Sequence, residues 1–167
     1  AVPTQFSYIL NQPETREDLS YLRFARSASA PLSPDIHRRF EERFKVPIIE
    51  TMGLTETGSQ ISTNPMPPAQ RKIGSPGQAY GNEIMIGNEN EAPVGPGIIG
   101  EILVRGANVM QGYFKQPEET AKTITSQGWL QTGDLGYMDE DGYIFVSGRI
   151  KELIIKGGEN IAPREVD

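Results

Sequence analysis

Ile36, Phe40 and Phe44 recur every fourth residue, and this single apolar stripe predicts a helix with one buried face. Ser33-Pro34-Asp35 supplies its start: a hydroxyl at the cap, Pro in the first position and an acid in the first turn. Residues 18–24 alternate apolar and polar positions as a strand does, and residues 6–11 read as the end of a helix. Residues 46–49 (Val-Pro-Ile-Ile) read as a buried strand that breaks into Thr51-Met52-Gly53-Leu54-Thr55-Glu56-Thr57-Gly58. Strand, helix and strand predict an α/β layer with a loop at a strand's carboxyl end, where open α/β sheets usually bind ligands.

From Asn64 the pattern changes. Pro65, Pro67 and Pro68 mark a turn, and short strands follow at 83–86, 101–105 and 143–147, separated by Gly and Pro. Gln116-Pro117-Glu118-Glu119-Thr120 opens a short helix expected to end at Gly128, and this middle region reads as a small barrel or sandwich. Leu153-Ile154-Ile155 is strand-like, with a tight turn at Gly157-Gly158. The expected architecture is α/β plus β, in three pieces: 1–68 an α/β tail, 69–148 a β-barrel-like subdomain and its return stretch, and 149–167 a hinge and the start of a further domain. The last residues, Glu165-Val166-Asp167, break off in mid-pattern, so a fragment with exposed edges and a tendency to self-associate is expected.

Composition narrows the function. Eighteen Gly and 13 Pro make a chain that turns often. The net charge is −6 with basic residues scattered, which leaves no footprint for nucleic acid. The absence of Cys removes disulfides, thiolate nucleophiles and thiol-ligated zinc, and a single His is little to build a transition-metal site from. His37 reads as a solvated surface residue of the helix that starts at Ser33. No apolar run approaches the roughly 20 residues that span a bilayer, so no membrane span and a soluble cytoplasmic protein are expected.

Three segments carry candidate chemistry. Thr55-Glu56-Thr57-Gly58-Ser59 could bind phosphate through hydroxyls and backbone N–H groups, with Glu56 helping to hold Mg²⁺. In Thr132-Gly133-Asp134-Leu135-Gly136 a carboxylate pinned between glycines at a strand end could accept two hydrogen bonds from a ribose diol. Gly148-Arg149-Ile150-Lys151-Glu152 places two cations within three residues beside a Gly. Singly, each is equally a polar turn, an Asp turn or a solvated strand edge, and the plainer reading is the better one.

Together they carry a resemblance. Met52-Gly53-Leu54-Thr55-Glu56-Thr57 resembles the aromatic-Gly-x-Thr-Glu signature of the adenylate-forming (acyl-CoA synthetase) superfamily. Gly100-Glu101-Ile102-Leu103-Val104-Arg105-Gly106, with Gly112-Tyr113 after it, is similar to that family's Gly-Glu-Leu…Gly-Tyr segment. Thr132-Gly133-Asp134 is similar to its Thr-Gly-Asp motif, and residues 148–154 to its hinge. Gly157-Gly158-Glu159-Asn160-Ile161 looks like the opening of its C-terminal domain.

The resemblance implies a fold, an activity and residue roles. A carboxylate attacks the α-phosphate of ATP to give an acyl-adenylate, and coenzyme A then takes the acyl group. Thr55 would touch phosphate and Glu56 would hold Mg²⁺, the two being the catalytic candidates. Met52, Gly53 and the Ala28-Ser29-Ala30-Pro31 loop would face the nucleotide, with Gly74-Ser75-Pro76-Gly77 a turn near adenine. Asp134 would bind the ribose hydroxyls and Arg149 the ribose or phosphate. Lys151 would be the hinge, and Gly157, Gly158 and Glu159 would face coenzyme A. Met52 departs from the pattern, since the family often places an adenine-stacking aromatic there. The family's phosphate loop would precede Ala1 and its catalytic Lys would follow Asp167, so the 167-residue chain by itself is expected to be inactive.

Two other readings stand beside the ligase. The adenylation domains of peptide-synthesising assembly lines usually carry Tyr-Gly-Pro-Thr-Glu and a hinge Asp, where this chain has Gly-Leu-Thr-Glu and Lys151. A non-catalytic nucleotide-binding module is the other. Residues 26–32 and Ser62-Thr63-Asn64-Pro65 resemble an oxalate-activating branch, while fatty and aryl acids stay open as substrates. Tyr113, Trp129 and Phe145 are expected in core packing.

Overall fold

The computed structural model describes residues 1–13, 19, 21–152, 154–156 and 159–161, the last six as backbone only. Leu153, Gly157 and Gly158 lie outside them. Among the described residues two four-stranded sheets, a two-stranded hairpin and three α-helices make up the mixed α/β-plus-β fold. The first sheet has the order β1 (Ala25–Ser27), β2 (Ile48–Leu54), β3 (Ser59–Thr63) and β4 (Gln78–Ala79). Its β1–β2 pair is parallel and the others antiparallel. The second is an open antiparallel meander of β5 (Glu83–Gly87), β6 (Gly100–Arg105), β7 (Leu130–Met138) and β8 (Ile144–Arg149), without barrel closure among the described residues. A short hairpin of β9 (Ile154–Lys156) and β10 (Glu159–Ile161) follows. No helix among the described residues is long and apolar enough to cross a membrane.

Helices α1 (Pro3–Leu10) and α2 (Pro34–Phe44) cover one face of the first sheet. Their apolar positions meet in a core of Phe6, Leu10, Leu32, Phe40, Val46 and Ile48, with Phe6 edge-on to Phe40 at 4.9 Å. The i, i+4 stripe thus does what its spacing requires. Ser33 stands at the cap of α2, but its hydroxyl makes no capping bond.

Three expectations are corrected. The strand expected over 18–24 is displaced: pairing starts at Ala25, whose N–H donates to the Pro47 carbonyl at 2.8 Å. Tyr21, Leu22 and Phe24 are exposed, so their alternation faces no core. Helix α3 (Pro117–Thr123) stops short of Gly128, because Ile124 is already extended and bridges to Leu130. β-Branched Thr123, Ile124 and Thr125 favour that exit. His37 is not a surface residue; it is 1% exposed.

The sheets are stitched together at the Gly74–Gly77 turn. Gly77 bridges to Ile144 of the second sheet, and the Ser75 hydroxyl donates to the Ile144 carbonyl. Across this seam Met52 of β2 packs against a second core of Ile86, Ile102 and Ile144. Between Met52 and Gly53 the β2–β3 register slips. A Cβ at Gly53 would lie 1.7 Å from the Ser59 carbonyl oxygen, a backbone atom with no room to yield. Gly53→Ala should therefore cost about 1–3 kcal/mol or more through overpacking, read as a lower urea midpoint of the full-length protein. An unchanged midpoint would contradict this packing.

Candidate functional site

One cavity of about 650 Å³ opens along the seam between the two sheets. Four chain segments meet in its wall: the loop after β1, the end of β2, the Gly74–Pro76 turn, and the β7–β8 edge.

The end of β2 delivers Thr55 and Glu56 on one turn of 3₁₀ helix closed by Gly58 in the left-handed region, at φ 66°. Thr57, buried, ties the turn shut by donating its hydroxyl to the Leu54 carbonyl at 2.9 Å. Thr55 and Glu56 are thereby turned into the cavity. Glu56 Oε1 accepts the Tyr113 O–H at 3.0 Å, and its other carboxylate oxygen accepts nothing from the described residues.

Asp134 lies inside β7, not at a strand end. Gly133, at φ 72°, lets the strand deviate there, and Glu101 accepts the Gly133 N–H at 2.9 Å. Thr132 fixes the deviation, accepting the Asp134 N–H at 3.0 Å and donating to the Ile102 carbonyl at 2.7 Å. The register of β7 with β8 sets Arg149 opposite Asp134, and its Nε pairs with Asp134 Oδ1 at 2.9 Å. Burial pushes the Asp134 carboxyl above its ordinary range, and the Arg149 guanidinium only partly offsets it. A buried carboxylate raised by desolvation and facing a cavity is a natural acceptor for hydroxyl donors.

Behind the wall lies a cluster of polar side chains that sequence reading missed. Glu50 of β2 lines the cavity while 5% exposed. Its Oε1 meets His37 Nδ1 at 2.9 Å and accepts the Gly74 N–H at 3.0 Å. His37 Nε2 meets Glu41 Oε1 at 3.0 Å, so both ring nitrogens face carboxylates. Glu41 also accepts the Ile48 N–H at 2.7 Å and pairs with Arg71. Two signals for this were in the sequence. His37 sits three residues before Phe40 and shares its face, and Glu50 is a charge inside an apolar strand.

Met52, Gly53, Thr55, Glu56, Asp134 and Arg149 are thus brought to one cavity. Ala28 is not in its lining, although its neighbours Ser27, Ser29 and Ala30 are. Lys151 is also outside the lining and exposed, while Glu152 contributes. Of the residues expected to face coenzyme A, Gly157 and Gly158 lie outside the described residues, and Glu159 is described only as backbone of β10. Trp129 packs beneath Arg105 and Phe145 stacks on Tyr137, as packing residues do. Tyr113 instead reaches Glu56.

The donors fit a nucleotide. Ser27 Oγ is buried in the wall without a hydrogen-bond partner among the described residues, a polar atom awaiting one from the cavity. For a divalent cation the described residues assemble no cluster of three or more His, Cys, Asp or Glu. Glu56 alone suits Mg²⁺, which keeps several waters and takes one or two carboxylates beside substrate phosphates.

Comparison with known proteins agrees. The family model described as AMP-binding enzyme matches residues 1–114. A sulfoacetate–CoA ligase of Cupriavidus necator is 52% identical over 166 residues, covering 99% of this chain and 32% of that protein. An oxalate–CoA ligase of Arabidopsis thaliana is 45% identical over 170 residues, covering 100% of this chain and 33% of that protein. The ATP-bound MatB structure from Rhodopseudomonas palustris matches with a TM-score of 0.93 at 37% identity, over 99% of this chain and 33% of that one. The chain spans a third of the length of these relatives.

Proposed function

Because the chain belongs to the AMP-binding enzyme family, we propose that the protein it is part of is an acid–CoA ligase. The convergence of Thr55, Glu56, Asp134 and Arg149 on one cavity carries the reading. In the first half-reaction a carboxylate oxygen attacks the α-phosphorus of ATP, the bond to the β-phosphate breaks, and pyrophosphate leaves. In the second, the sulfur of coenzyme A attacks the acyl carbon and AMP leaves as the thiol proton is lost.

In-line displacement at phosphorus asks the protein for position and charge compensation more than for covalent help. Asp134 binds the ribose hydroxyls, and Arg149, freed from it or shared with it, reaches ribose or phosphate. Thr55 donates its hydroxyl to phosphate. Met52 and Gly53 form the floor against the base, and the loop bearing Ala28 lies between base and acid. Glu56 holds Mg²⁺, whose charge neutralises the phosphates when ATP is bound. Lys151 serves as the hinge, and Gly157, Gly158 and Glu159 face coenzyme A after the following domain turns. The division at 68 and 148 is kept as the domain plan.

For the acid, a short carboxylate with a second anionic group is proposed over fatty acids. The support is the names of relatives that act on sulfoacetate and oxalate. The full-length protein should be given ATP, coenzyme A and in turn sulfoacetate, oxalate, octanoate, palmitate and benzoate, with thioesters read by mass spectrometry. A thioester from sulfoacetate or oxalate alone is expected. Product from fatty or aryl acids alone would overturn the substrate class but not the ligase chemistry.

A further inference from the structure

Tyr113 lies on the loop between β6 and α3, outside the cavity lining, yet it is tied to the turn that carries Glu56. The loop grips this turn at its backbone: the Met110 N–H donates to the Glu56 carbonyl at 2.7 Å, and Asn108 Nδ2 donates to the Thr57 carbonyl at 3.2 Å. These bonds hold the peptide but leave the Glu56 side chain free to rotate. Among the described residues only the Tyr113 O–H touches its carboxylate, at Oε1 and 3.0 Å.

Tyr113 is itself held in place. Its N–H donates to Thr120 Oγ1 at 2.9 Å, and that hydroxyl donates to the Gln116 carbonyl at 2.9 Å. Gly112, at φ 150°, lies flush on α3, where a Cβ would come within 2.8 Å of Thr120 Oγ1. A phenol is protonated and neutral at neutral pH, so Tyr113 acts there as the donor. A cation in its place would neutralise Glu56; a neutral phenol fixes one oxygen and leaves the negative charge available on the other.

We propose that Tyr113 is a positioning residue for metal binding: its phenol fixes one oxygen of Glu56 so that the other is presented to the Mg²⁺ that accompanies ATP. This rests on the reading of Glu56 as the metal-holding carboxylate. The test is calorimetric titration of Mg²⁺ into the ATP-saturated full-length protein, comparing wild type, Tyr113→Phe, Thr120→Val and Glu56→Gln. Because the lost hydrogen bond acts on the metal only through the orientation of Glu56, the Mg²⁺ half-saturation of Tyr113→Phe should rise about 3- to 10-fold, the range of an ordinary net hydrogen bond. ATP affinity without metal and the KM for the acid should not move, which separates positioning from general loosening. Thr120→Val, which removes the anchor and keeps the phenol, should shift the same value in the same direction. It decides the matter if Tyr113→Phe does not fold. Wild-type Mg²⁺ dependence in Tyr113→Phe, or in Thr120→Val where that variant decides, beside a raised value in Glu56→Gln overturns the role of Tyr113 alone. Wild-type dependence in Glu56→Gln as well overturns the Glu56 reading with it.

Discussion

Asp134→Ala in the full-length protein should weaken ATP binding about 10- to 100-fold, the loss expected for hydrogen bonds to a charged, partly desolvated acceptor. The fold should survive. Burial raises the Asp134 carboxyl above its ordinary range, so the ionised form is held in the folded chain at a cost that the Arg149 pair only partly offsets. Arg149 is largely exposed and is resolvated when its partner goes. The sign for pH follows. An acid raised on folding opposes folding above its unfolded value, and protonation as pH falls relieves it. ATP needs the ionised form, so wild-type affinity should fall on acidification, beginning above the usual Asp range, while the Ala variant stays flat. Calorimetry with ATP between pH 5 and 8 checks both. Unchanged affinity at neutral pH would remove Asp134 from the site.

His37→Ala should produce the largest loss of stability, about 3–5 kcal/mol, because it opens a cavity in a fully buried position and removes hydrogen-bond partners from two carboxylates at once. The imidazole stands between Glu50 and Glu41, and without it Glu50 stays buried with only the Gly74 N–H. His37→Gln, able to donate to one carboxylate, should recover part. Glu41 adds an acid dependence. Burial raises its carboxyl, but Arg71, the Ile48 N–H and His37 outweigh this and leave it below the ordinary range. An acid lowered on folding stabilises above its unfolded value, and that contribution is lost as pH falls through the lowered one. The full-length protein should therefore lose stability on acidification below the ordinary Glu range. Urea unfolding at neutral pH reads the His37→Ala effect, and a change within about 0.5 kcal/mol, ordinary for a surface substitution, would contradict the buried cluster.

The site was legible where chemistry and spacing travel together. Met52 to Glu56, Asp134 and Arg149 could be named because their motifs, ambiguous singly, together resemble one family's motifs in order, and the chain folds them onto one cavity. The helix at 34–44 was legible from three residues of its stripe. The miss at His37 has a physical cause: a His beside Arg38 and Arg39 looks solvated until Glu50 arrives from β2, thirteen positions away. Strand β3, Ser-Gln-Ile-Ser-Thr, was hidden because one apolar residue gives no alternation, although Ile61 and Ser62 are both fully buried. Strand β7 was masked by Gly133 and Gly136. Its glycines serve the site: Gly133 permits the bend at Asp134, and a Cβ at Gly136 would strike the Phe145 carbonyl at 2.4 Å. Tyr113 was read as packing because nothing local reveals that its hydroxyl meets a carboxylate 57 positions away.

Carboxylate-dependent ATP–pyrophosphate exchange by the full-length protein tests the central claim most directly, because it reads adenylate formation without coenzyme A. Exchange that requires a short anionic acid, and that falls sharply in Asp134→Ala and Glu56→Gln, is the result this account predicts. Folded, ATP-binding protein that exchanges with none of the acids would contradict it and leave the chain as a nucleotide-binding module.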